Sequence, residues 1–217
     1  MAQLVERAQA EISKQAEGNR FLDLLENGAA PAERLRRLAG ELYRLVGSDR
    51  RSFALLASRF AEPPAGDLFL AMAEGEAQAL RLLLDFAAAM GLGEPELRAY
   101  EPRPLAQAYP AYLTQTALFG ASSAVALALL ANVTESGATY ARVADALRSR
   151  YGFSENAVGH FRFFAETPQS LLDAAEATVA AGLALGENPD DAVRTARMVS
   201  AYEAAFWATM AEGLDEA

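Results

Sequence analysis

The stretch Gly120-Ala-Ser-Ser-Ala-Val-Ala-Leu-Ala-Leu-Leu-Ala-Asn-Val-Thr-Glu-Ser-Gly-Ala-Thr-Tyr140 decides how the rest of the chain is read. Its first half is as apolar as any part of the sequence. Asn132, Thr134, Glu135 and Ser136 then interrupt it, and helical periodicity resumes through Tyr140, Val143, Ala144 and Leu147. A helix that is apolar on all sides is a buried helix. A carboxylate or amide inside such a helix is costly unless something pairs with it. The stretch is therefore expected to be the central helix of an all-α domain, bringing polar groups to an internal pocket.

Working outward, the flanking segments repeat the helical pattern. Upstream, residues 105 to 119 form a helix holding Tyr109 and Tyr112, and three prolines between 94 and 104 predict a loop. Residues 66 to 90 carry the stripe Leu68, Met72, Leu80, Leu83, Leu84 and Phe86, stopped by Gly91 and Gly93. A long helix starts at Pro31 with Leu35, Leu38, Leu42, Leu45, Val46, Phe53, Leu56 and Phe60 on its stripe; Gly47-Ser48 is a candidate bend. Asn19 suits the cap of a short helix through Leu25, and residues 2 to 16 read as an amphipathic helix. Downstream, Gly152 ends the central helix, Ser154 caps a helix with His160 and Phe161, and Pro168 is expected to kink it. Pro189 opens a last helix with Val193, Ala196, Val199, Tyr202, Glu203, Phe206, Trp207 and Met210, and residues 215 to 217 are expected to fray. The expectation is one helical domain over 1–217, its core at 19–212, built as a bundle of about seven helices.

Composition narrows the function. With 52% hydrophobic residues the 217-residue chain can bury a large core. A net charge of −10 repels phosphate backbones and argues against nucleic acid. The absence of cysteine excludes a thiolate nucleophile, a disulfide and a zinc ribbon. The run from Ala124 to Ala131 is too short to span a bilayer, and the first residues hold no signal core, so a soluble cytoplasmic protein is expected.

The candidates for chemistry are polar residues inside apolar faces. Glu203 lies three and four residues before Phe206 and Trp207. Beside aromatic rings a carboxylate loses solvation and its pKa rises, which suits general acid–base work; the alternative is a Glu at a stripe's edge with its head in water. Asn132 and Glu135 read either as a pocket wall or as polar groups satisfied by neighbouring helices. Glu41 alone reads as a solvated helix residue, and His160, the sole histidine, as structural or as a ligand contact.

Three segments resemble the TenA family, the thiaminase II group, of the haem-oxygenase-like superfamily. Tyr202-Glu-Ala-Ala-Phe-Trp207 is similar to that family's Glu-x-x-Phe-Trp signature. Leu129-Leu-Ala-Asn132 is similar to its Leu-Leu-Pro-Cys segment, and Leu38-Ala-Gly-Glu-Leu-Tyr-Arg-Leu45 to its Gln-Asp-Tyr-x-Tyr-Leu segment. The stretch from Pro104 to Leu113 resembles a Tyr-x-x-Tyr-Leu run. The resemblance implies a haem-oxygenase-like bundle, a small-molecule substrate and a homodimer or homotetramer. It places the family's cysteine on Asn132, its binding aspartate on Glu41, and two of its tyrosines on Arg44 and Ser136. Only the glutamate, Glu203, carries over unchanged.

On residues and resemblance together, the candidate catalytic groups are Glu203, Glu135 and Glu41. The candidate substrate-binding residues are Asn132, Ser136, Arg44, His160, Tyr112 and Phe206. Paired carboxylates would replace the missing thiolate in a hydrolase of an aminopyrimidine-like or other amine-bearing substrate. Two other readings stay open: a non-catalytic binding or assembly protein on the same fold, and a degenerate metal-dependent oxidase. In the latter, Glu74, Glu135, Glu166 and Asp173 would be relics of a ligand set, and Arg81, in place of a histidine, would pair with Glu74. With one histidine, no metal and no cofactor are expected.

Overall fold

In a computed structural model that describes residues 1–14 and 18–214, ten α-helices and one 3-10 turn follow one another without a strand among the described residues. They are α1 (Ala2–Ser13), α2 (Arg20–Glu26), α3 (Ala32–Arg59), α4 (Ala65–Ala89), α5 (Glu94–Ala99), the 3-10 turn Leu105–Gln107, α6 (Ala108–Phe119), α7 (Ser122–Tyr151), α8 (Gly159–Ala165), α9 (Gln169–Ala184) and α10 (Pro189–Ala211). The frayed tail expected at 215–217, and the end of the first helix expected at 15–16, lie outside the described residues.

The count exceeds the expected seven for two local reasons. The proline-rich segment after Gly93 winds into α5, because the Gly93 N–H meets the Glu96 carboxylate and Pro95 fits a first turn. Pro168 does not kink a helix. It stands in extended backbone between α8 and α9 and separates them, as a residue without an N–H does at a helix start. Likewise Gly47-Ser48 leaves α3 unbroken over 28 residues. Ser154 Oγ accepts from the Ala157 N–H, yet α8 begins only at Gly159, after a turn. Asn19 caps α2 by accepting from the Leu22 N–H at 3.0 Å.

Helix α7 runs 30 residues through the middle of the bundle and packs on α2, α8, α9 and α10. Glu187, in the turn before α10, closes its start: the carboxylate accepts from the Ser122 N–H (3.1 Å), the Ser122 hydroxyl (3.0 Å) and the Ser123 N–H (2.8 Å). Burial pushes Glu187 up, but these donors outweigh it and hold the carboxyl below its ordinary range. An anion at a helix N-terminus satisfies orphan N–H groups and the helix dipole together. At the other end Gly152 takes the left-handed conformation (φ 72°) that ends the helix without a Cβ clash.

The apolar side chains condense into two clusters stacked along the helix axes. One gathers Phe21, Leu38, Leu42, Leu83, Phe86, Leu147, Phe161, Trp207 and Met210. The other gathers Phe53, Leu56, Leu68, Phe69, Leu127, Val179 and Val193. Each long helix crosses from one cluster to the other, and the site lies at that crossing. No helix among the described residues is long and apolar enough to cross a membrane.

Candidate functional site

At the level where the clusters meet, every long helix carries a polar residue on its inner stripe. Helix α3 has Asp49 between Val46 and Phe53, and α4 has Glu76 between Phe69 and Leu83. Helix α7 has Asn132 and Ser136 between Ala131 and Val143, and α10 has Glu203 between Val199 and Phe206. The spacing is helical throughout, so these residues share the face that builds the core. A polar layer therefore cuts the apolar interior in two.

A cavity of about 790 Å³ opens at this layer. Its walls are largely apolar, with Phe53, Leu68, Met72, Leu113, Val125, Leu129 and Val199 among them. Glu76, Tyr109, Asn132, Ser136 and Glu203 supply polar groups, and the rim at Phe163, Glu166, Thr167 and Pro168 comes from the α8–α9 junction. An apolar chamber with a few convergent polar groups is the usual form of a small-molecule site. Gly137 lets α8 approach α7 closely: a Cβ there would sit 3.0 Å from the Ala165 carbonyl oxygen at the end of α8.

Glu203 is the best-anchored group. Ser136 Oγ donates to its Oε1 at 2.8 Å. Burial raises its pKa, the donors Ser136 and Trp207 pull it back towards the carboxylate, and the charge of Glu135 raises it further. Asn132 spends its amide hydrogens on the Ala128 and Ala196 carbonyls, at 2.8 and 3.2 Å. That leaves its side-chain oxygen as an acceptor, on a residue that lines the cavity.

Two carboxyls of this layer, Asp49 and Glu76, were not among the expected site residues. Both are buried, and Asp49 Oδ1 and Glu76 Oε2 have no hydrogen-bond partner. Desolvation pushes Glu76 up to about 8. It also pushes Asp49 well above its usual range, reinforced by the charge of Glu76. The Tyr109 and Tyr140 hydroxyls are held far above theirs by burial and then by the charges of Asp49, Glu76 and Glu203, so all three carboxyls converge on these two rings. The signal was present in the sequence: Asp49 and Glu76 each take a core position of an apolar stripe.

The other expected residues lie elsewhere. Glu41 is fully buried but outside the cavity wall. It accepts from the Tyr100 hydroxyl (2.8 Å), the Arg103 N–H (2.8 Å) and the Gln107 amide (2.5 Å), and so pins the segment before α6. Arg44 is exposed and donates to the Arg98 and Tyr100 carbonyls. Glu135 is exposed and reaches the site only through its field. Tyr112 packs on the Tyr202 ring at 5.3 Å, and Phe206 is buried against Trp207. His160 Nδ1–H donates to the Ala79 carbonyl at 2.9 Å; burial holds its pKa down to about 4, and Nε2 has no partner.

The residues do not fit a metal centre. Glu74, Glu135, Glu166 and Asp173 are all exposed. Arg81, also exposed, donates to the Gln78 side chain instead of forming the ion pair expected with Glu74. Among the described residues no group of three or more His, Cys, Asp or Glu side chains is placed to hold an ion.

Residues 9–213 match the sequence profile of the TENA/THI-4/PQQC family. No curated protein matches the chain significantly. Among solved structures, a TenA homologue from P. horikoshii OT3 is similar at 19% identity, with a TM-score of 0.67 over 96% of each chain. A domain of unknown function with a haem-oxygenase-like fold from Shewanella denitrificans OS217 gives a TM-score of 0.74 at 12% identity, over 96% of this chain and 89% of that one. A TenA family transcription regulator from Silicibacter sp. TM1040 gives 0.65 at 18% identity, over 94% and 92%. The fold is thus the haem-oxygenase-like all-α bundle.

Proposed function

The chain belongs to the TENA/THI-4/PQQC family, and from that premise we propose that it is a cysteine-independent small-molecule hydrolase, breaking a carbon–nitrogen bond in an aminopyrimidine-like or other amine-bearing substrate. The observation that carries this reading is the pair Glu203 and Glu76 on the wall of one cavity: burial raises both, but only Glu203 has hydrogen-bond donors that pull it back towards the carboxylate. Two carboxyls tuned apart divide the work of acid and base.

Glu76, lacking a donor for Oε2 and raised to about 8, carries a proton at neutral pH and is the acid. Glu203, with Ser136 and Trp207 stabilising its charge, is the base. Asn132 supplies an acceptor for an amino group on the substrate, and the apolar walls hold the ring and exclude water. In the reaction, Glu203 takes a proton from water as the water oxygen bonds to carbon. Glu76 gives its proton to the departing nitrogen as the carbon–nitrogen bond breaks. The proton gained by Glu203 restores Glu76 through solvent, so water is divided across the bond and nothing else is consumed.

The test is amine release from a panel of aminopyrimidines and their N-acyl and aminomethyl derivatives, comparing wild type with Glu203→Gln. Wild type should release amine, and the variant should lose about 100-fold or more of that rate, as expected for a general base. Panel members that bind without any release would overturn hydrolysis and leave a binding protein.

A further inference from the structure

The Asp49–Glu76 pair asks for something that the protein itself does not supply. Both side chains are more than nine-tenths buried, and each has an oxygen without a hydrogen-bond partner. Such atoms are rare in a native interior because an unpaired buried polar group costs about 1–3 kcal/mol. Glu76 lines the cavity; Asp49 is outside the wall, on the neighbouring helix, close enough for the Glu76 charge to act on it.

No protein cation answers them. The groups around the Glu76 carboxyl are Asp49 from α3, Tyr109 from α6, Tyr140 from α7 and, on the same two rings, Glu203 from α10. From α8, His160 is committed to the Ala79 carbonyl. Arg162, a cation in the cavity wall, is turned to Asp145 and Glu155. The stretch of α9 in the wall, Ser170, Leu171 and Ala174, carries no charge.

We propose that Glu76, backed by the Asp49 carboxyl behind it, forms the cavity's seat for a cationic nitrogen, an ammonium or amidinium group at one end of an otherwise apolar ligand. The unpartnered Glu76 oxygen is an acceptor, a protonated nitrogen is a donor with the complementary charge, and Asp49 adds negative potential from behind. The apolar walls fit the body of such a ligand, and two carboxyls are fewer oxygens than a bare divalent cation requires. This rests on the reading above and deepens it: besides the nitrogen that departs, the substrate carries a strongly basic one, an alkylamine or amidine, whose charge makes Glu76 a readier proton donor. Because the cation favours the carboxylate, the Glu76 proton passes to the departing nitrogen of a substrate, and to solvent when the ligand has no such nitrogen. Affinity therefore rises as pH climbs towards about 8, where the empty Glu76 ionises by itself.

The experiment is calorimetric titration of the whole protein with benzamidine, which stays cationic throughout, and with its neutral isostere benzamide, in buffers of different ionisation heat. Benzamidine should bind at least about tenfold more tightly than benzamide, the scale of one charge-assisted hydrogen bond. It should release up to one proton per site near neutral pH and bind more tightly towards pH 8. Glu76→Gln should erase the preference and the proton release, and Asp49→Asn should reduce both in wild-type-like fold. Equal affinity for the two probes, no binding of benzamidine, or binding without proton release overturns the seat; the wild-type comparison alone decides this even if a variant fails to fold. Amine release that depends on Glu203 but is indifferent to ligand charge would sink the seat and keep the hydrolase. A benzamidine preference without turnover of any substrate would do the reverse.

Discussion

Ser136 on α7 and Glu203 on α10 meet at 2.8 Å across the wall of the cavity, hydroxyl to carboxylate. The bond links the two helices at the level where their apolar stripes are interrupted. It also biases Glu203 towards its charged form against the desolvation that raises its pKa. Ser136→Ala should remove that bias. A hydrogen bond to a charged group stabilises the carboxylate, so without it the Glu203 carboxyl should titrate higher still. Carbon-13 NMR of labelled glutamate carboxyls reads this directly, and an unchanged Glu203 resonance would mean that the hydroxyl does not tune it.

Glu76 gives the protein an unusual alkaline weakness. Its folded pKa, about 8, stands above the ordinary 4.5, so the folded state keeps a proton that the unfolded chain has lost. That contribution is complete below about pH 4.5 and disappears as pH rises to about 8, amounting to at most about 5 kcal/mol across the window. Thermal scans should show Tm falling between pH 5 and 8, and Glu76→Gln should flatten the slope.

His160 acts in the opposite direction. Burial depresses it from 6.5 to about 4, so the neutral ring contributes stability that is present above pH 6.5 and lost as pH falls to about 4, roughly 3 kcal/mol in all. Imidazole nitrogen NMR should find the Nδ1–H tautomer persisting at pH 5, because Nδ1–H is held by the Ala79 carbonyl. A ring that titrates near 6.5 in the folded protein would contradict the burial described.

Glu41→Ala separates architecture from chemistry. It strands the Tyr100 hydroxyl and the Arg103 N–H, each buried in part, at about 1–3 kcal/mol apiece. A drop in Tm of about 5–15 °C is expected for a domain of this size, with benzamidine and benzamide affinities unmoved because Glu41 is not in the cavity wall.

Much of this was legible in the sequence where local pattern and tertiary environment coincide. The all-helical class followed from periodic apolar stripes, and the central helix from the run before Asn132. Asn132 and Glu203 stood out as polar residues in apolar surroundings, and both line the cavity. Asp49 and Glu76 obey the same rule but are hidden by polar neighbours, Ser48 and Arg50 for one and Glu74 for the other. Which of two nearby carboxylates turns inward depends on helix phase, and a shift of two residues reverses it. The role of Glu41 was illegible, since its partners lie 59 to 66 residues away and come together only when the loop folds back over α3. The α8–α9 break was misread as a kink because a proline ends or bends a helix according to what packs around it.

The missing side chain at Gly137 has a reach beyond its own helix. With only hydrogen there, the last carbonyl of α8 settles against α7, and the Glu166–Pro168 corner hangs from that contact as the cavity's doorway. A methyl group at this position would press on the Ala165 carbonyl and shift the corner that follows it. Lineages that differ at this position should accept guests of different girth, without altering a single residue that touches the guest's reacting bond.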